Sequence, residues 1–245
     1  MSKKIKPDSF RRQIASELRQ LGGVLNRNVS DVCFDTGPIT QAANMCGISK
    51  PYGPESWGYQ VDDLRFRVKT PQKVIPSTVG DYLHVMMNFK IQGKCSSDLT
   101  DLIKLLEFSI VVTNEDNSYL SSWHFDKHLV SDNGGDGDPE DAHPLYHFQY
   151  GGKNLGPLGG NHGGILIMPS PRIGHPPMDV VLAIDFVLSN FAGIHWKGLR
   201  EQPDYRSRLV EAQGKYLRPY VESMLSWWNT GRDSDFVKSL WPHLI

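Results

Sequence analysis

The stretch HFDKH places His124, Asp126 and His128 two residues apart, after Trp123 and with Phe125 between the first two. Alternate side chains of a β-strand point to opposite faces, so the three polar groups share one face and the aromatics take the other. A second run, Leu145–Tyr150, repeats the pattern: His147 and Gln149 alternate with Tyr146, Phe148 and Tyr150. If the two strands pair, His124, Asp126, His128, His147 and Gln149 meet on one surface, with cross-strand neighbours about 4.5–5.5 Å apart at Cβ. Imidazoles beside a carboxylate suit two chemistries. One is acid–base work, because histidine changes charge near neutral pH and a carboxylate orients it. The other is a divalent metal site.

Six of the nine histidines lie between residues 124 and 175: His124, His128, His143, His147, His162 and His175. In the metal reading, His124-x-Asp126 with a distant histidine, His175, is the donor pattern of a non-haem iron site, with zinc as a second choice. The chain, however, turns helical after His175, where the strands of an iron-oxygenase barrel should continue. The spacings His124/His128 and His143/His147 lack the Glu and the helix of a zinc-protease motif. In the acid–base reading no cofactor is required. The segment SDNGGDGDPED, residues 131–141, does not place its carboxylates on the grid of an EF-hand and reads as a solvated loop. GGKNLGPLGGNHGG, residues 151–164, is half glycine but has neither a P-loop pattern nor a dinucleotide context. It reads as a connection able to close over the adjacent strands, with Lys153 and His162 as its chemical tools.

The elements that position these groups are legible in outline. After Pro7, Phe10, Ile14, Leu18 and Leu21 recur at helical spacing; Asp8 or Ser9 is the expected cap and Gly22-Gly23 the expected end. Residues 24–60 read as irregular. Period-two alternation then marks strands at 64–68, 83–91, 105–113, 119–128 and 145–150, and a short one at 165–168. Without long crossovers between most of them, an antiparallel meander is expected. From Pro177 the period is helical, with further helices at 204–213, 215–229 and 233–241. The expected fold class is α+β: an N-terminal helix, an antiparallel β-sheet, and a helical C-terminal region packed on it. One domain spans 1–245, with the lead helix and irregular segment at 1–60, the sheet and histidine-rich site at 61–170, and the helical tail at 177–245.

The chain has 245 residues, 39% hydrophobic and 22% charged, with a formal net charge of −1. No global field draws it to nucleic acid or to an anionic membrane. No apolar run reaches a membrane span, and the charged N-terminus does not read as a secretory signal, so a cytoplasmic protein without membrane contact is expected. Cys33, Cys46 and Cys95 are too few and too irregular for a disulfide framework. Trp227-Trp228 with Leu225, and Trp241 near the end, read as core packing or as a contact with a protein partner through the helical C-terminal region.

The order of these pieces resembles the translation-inhibiting toxins of the TumE type, whose pattern runs roughly RYDNxxH and then PHHKH. HFDKH and HPLYH (His143–His147) are the matching pieces, within about residues 105–190. His124 stands where that family has Arg, and HPLYH lacks its adjacent histidines. The resemblance implies a toxin or defence-associated protein acting on RNA or the translation apparatus. The residues allow such chemistry independently. Metal-free RNA cleavage needs a base, an acid and a cation for the phosphate. Two of His124, His128, His143 and His147 would serve as base and acid, with Asp126 orienting one. Lys127, Gln149, Lys153 and Arg172 would hold the substrate.

Overall fold

A computed structural model describes residues 6–74, 76–95, 103–127, 143–159, 172–230 and 235–242. Two helices, α1 (Pro7–Asn28) and α2 (Gly37–Ile48), precede the strands β1 (Ser56–Lys69), β2 (Tyr82–Lys94), β3 (Ile103–Asn114), β4 (Leu120–Lys127), β5 (Tyr146–Tyr150) and β6 (Ile173–Gly174). The helices α3 (Val180–Phe191), α4 (Gly193–Arg200), α5 (Pro203–Ala212), α6 (Arg218–Thr230) and α7 (Asp235–Leu240) follow. The strands form one antiparallel sheet in chain order, β1-β2-β3-β4-β5-β6, so the fold is the expected α+β meander with flanking helices.

Period-two burial makes the sheet two-faced. Val61, Phe89, Phe108, Phe125 and Phe148 stand in register across five strands on the covered face. Their rings continue outward at both ends: Phe10 of α1 meets Trp57 at 5.9 Å, and Phe148 stacks on Phe186 of α3 at 4.8 Å. This continuous aromatic layer joins the sheet to α1 and α3 at its two ends, and Trp57, Phe89, Phe108 and Phe125 are at most 1% exposed.

Several local expectations are corrected. The lead helix runs through Gly22-Gly23 to Asn28, with Gly22 buried beside Ile39 of α2 and Val24 and Leu25 continuing its apolar face. Its N-cap is Lys6, with no side-chain cap, and Asp8 instead pairs with the buried Arg11. Residues 24–60 are not irregular. They contain α2, whose buried face is Ile39, Ala42, Ala43 and Cys46, and the start of β1. That face has helical spacing, carried by side chains too small to stand out as an apolar stripe. Helix α3 begins at Val180 rather than Pro177, capped by Asp179, whose Oδ1 accepts from the Leu182 N–H at 3.0 Å. The expected tail helices are present, but α4 was not anticipated, and one π-type turn, Gln213–Leu217, separates α5 from α6. The strand expected at 165–168 lies outside the described residues. Among the described residues no helix is long and apolar enough to cross a membrane.

Candidate active site on the open face of the sheet

The face opposite the aromatic layer is polar and forms the floor of a groove of about 860 Å³. The register writes that floor as two rows across the strands. One row is Gln60, Lys90, Glu107, Asp126 and His147; the other is Asn88, Ser109, His124 and Gln149. One wall comes from His143, just before β5. Another comes from the turn after β5, where Gly151 and Gly152 lead into a 3₁₀ turn, Lys153–Leu158, that brings Lys153 and Asn154 to the groove. Arg172, just before β6, completes the lining.

The pairing of β4 with β5 expected from the sequence is present. Asp126 faces His147 and His124 faces Gln149. His124 Nε2 is 3.6 Å from Asp126 Oδ2, and both side chains are partly open to solvent. The Asp126 carboxyl titrates above the ordinary carboxylate range. Burial is the main cause and Glu107, directly opposite on β3, adds to it, while His124 and Lys153 pull the other way. His147 is buried, and its Nδ1 lies 3.0 Å from the Pro144 carbonyl. A carbonyl only accepts, so Nδ1 carries the proton and Nε2 of the neutral ring is the basic nitrogen. The rings of His143 and His147 meet edge to face, 4.5 Å between centres.

The remaining candidates divide. Gln149, Lys153 and Arg172 line the groove as expected. Lys127 also lines it, but its ammonium donates to the Ile103 carbonyl and lies 5.8 Å from the Tyr146 ring centre, so it is held at the groove's end. His128, His162 and the acidic segment 131–141 lie outside the described residues. His175 is not brought to His124 and Asp126. Gly174 pairs with His147, so the next side chain falls on the aromatic face, where the His175 ring packs against Phe125, Phe148 and Phe186. There burial lowers its pKa, and its Nδ1 lies 2.7 Å from the Pro176 carbonyl. Among the described residues no three His, Cys, Asp or Glu side chains converge as metal donors. The set His124, Asp126 and His175 is therefore not assembled.

Sequence reasoning missed Lys90, Glu107, Asn88 and Ser109. Lys90 Nζ lies 3.4 Å from Glu107 Oε2, so the charged row runs Lys90, Glu107, Asp126 and then His147. The available signal was parity: these residues alternate with Phe89 and Phe108 exactly as His124 and Asp126 alternate with Phe125.

No protein-family model, curated protein or solved structure matches the chain.

Proposed function

We propose that the groove is a metal-independent acid–base site that cleaves RNA. The observation that carries this reading is the His124–Asp126 pair on the floor of an open groove, with His147 diagonal to His124 across the β4–β5 ladder. Diagonal neighbours on one face are roughly 7–8 Å apart, enough to admit a phosphate between two imidazoles. His124 takes the proton of a ribose 2′-OH while the 2′-oxygen attacks phosphorus. The departing 5′-oxygen receives a proton from an imidazolium on the far side, either His147, charged and donating from Nε2, or its ring partner His143. The products are a 2′,3′-cyclic phosphate and a free 5′-hydroxyl. Asp126 orients the base and stabilises the imidazolium that forms. Lys153 and Arg172 counter the charge that builds on the phosphate. Given the likeness to TumE-type toxins, such an activity would make the chain a toxin or a defence-associated protein.

The test is cleavage of a labelled single-stranded RNA in the presence of a chelator. The expected result is a cyclic-phosphate product, with the rate lowered about 10²–10⁴-fold in His124→Ala, the range typical of a general acid or base. An inert wild type, or an undiminished rate in a folded His124→Ala, overturns the reading. Elemental analysis of untagged protein separates it from a metal enzyme. A second reading, a non-catalytic subunit, is favoured by one observation: Val221, Leu225 and Trp228 stand exposed at helical spacing along α6, Trp228 at 63%.

A further inference from the structure

Gly152 stands at φ 82°, ψ −170°, a region of backbone space that is essentially reserved for glycine. The residue before it, Gly151, also has a positive φ, and its N–H donates to the Ser122 carbonyl at 2.8 Å, two residues before His124. The turn is thus pinned to β4 beside the histidine. A Cβ built on Gly152 would lie 3.1 Å from both Cε1 and Nδ1 of the His124 ring. That contact falls on one edge of the imidazole, while Nε2 is turned to Asp126 at 3.6 Å. The Gly152 carbonyl then accepts from the Leu155 N–H at 3.1 Å, so the turn that carries Lys153 and Asn154 hangs from the same residue.

We propose that Gly152 is a positioning residue for this site: its missing side chain leaves the space that the Cε1–Nδ1 edge of the His124 ring occupies, and so lets Nε2 face Asp126. The role of that ring in catalysis rests on the reading given above; the positioning itself does not. Glycine is needed here for two separable reasons, the backbone conformation and the space the ring occupies. Gly159 isolates the first. It also has a positive φ, 70°, but among the described residues nothing lies within 4 Å of a Cβ built on it. Alanine at either position therefore carries backbone strain, and only at 152 does it meet the imidazole.

The experiment compares Gly152→Ala and Gly159→Ala by thermal melting and by the NMR signals of the His124 ring, with RNA absent. Both variants are expected to lose several degrees of Tm, about 4–8 °C each. Adding His124→Ala should restore roughly half of the loss in Gly152→Ala and none of it in Gly159→Ala. The His124 Cε1–H resonance, absent in the His124→Ala control, should shift in Gly152→Ala and stay in place in Gly159→Ala. Equal losses without recovery, or an unmoved ring signal, would make Gly152 a turn residue only and overturn the proposal. If Gly152→Ala does not fold alone while the double variant does, the ring contact is shown by rescue; if neither folds, the contact is not what fails and the proposal falls. An RNA assay that finds no cleavage leaves these outcomes intact.

Discussion

Asp126 sits among three neighbours that pull on its proton. His124 and Lys153 favour the carboxylate, Glu107 opposes it, and burial outweighs both cations. Removing one like charge gives a signed expectation. In Glu107→Gln, the Asp126 titration midpoint falls, and the acid limb of any activity that needs Asp126 ionised moves to lower pH. A carboxyl-carbon NMR titration reads the first effect directly; an unchanged midpoint would mean that Glu107 is screened from Asp126. How much of this was legible varies by residue. His124, Asp126, His147 and Gln149 could be grouped from parity, because both strands are short and rich in one unusual residue type. Glu107 and Lys90 look like any solvent-facing pair on a strand, and only the register shows that they continue the same row. His175 was misassigned because its face depends on a two-residue strand, β6, too short to show a period.

At the scale of elements, the strands are joined by the aromatic layer as well as by their ladders. Phe125 is fully buried and lies 4.9 Å from Phe148 and 6.4 Å from Tyr146, ring centre to ring centre. Phe125→Ala should cost about 3–5 kcal/mol, since a cavity in the middle of a sheet cannot close easily. A lowered urea midpoint with an unchanged m-value is the expected measurement; a loss below about 1 kcal/mol would show that the helices collapse into the gap. The strands were readable because one face is apolar along their whole length. Helix α2 was not, because Ala42, Ala43 and Cys46 bury a face without large side chains. The π-type turn could not be read either. It is justified by what it places: Lys215 Nζ lies 5.0 Å from the Phe10 ring centre and 5.3 Å from that of Tyr216.

Across the whole molecule, Asp179 joins parts far apart in sequence. It caps α3, the adjacent Val180 N–H donates to the Tyr59 hydroxyl of β1 at 3.4 Å, and Lys215 of the π-type turn acts on its carboxyl. Burial pushes that carboxyl up to about 6, against the Leu182 N–H and Lys215, which favour ionisation. The unfolded carboxyl titrates near 3.9, so between the two values the folded chain retains a proton that the unfolded chain releases. The corresponding stability is fully present below about pH 4 and is lost as the pH rises through about 6. Asp179→Asn keeps a cap acceptor and removes this slope, about 1–2 kcal/mol after allowing for partial exposure. Urea midpoints between about pH 4 and 7 test it; identical slopes in the two proteins would refute the linkage.

The open sheet carries a risk that its borders answer. A long unpaired edge strand invites other chains to join the sheet edge to edge. Here the long border strand β1 is broken by a register shift between Val61 and Leu64, where Asp63 takes a positive φ and sets charge beside Arg65. Helix α2 packs against the same strand. At the other border β6 is two residues long, and the Trp241 ring lies so close to Gly174 that a Cβ there would be 3.0 Å from it. Among the described residues neither border offers a long flat row of amides, so the groove can stay accessible to a ligand without making the protein a template for its own aggregation.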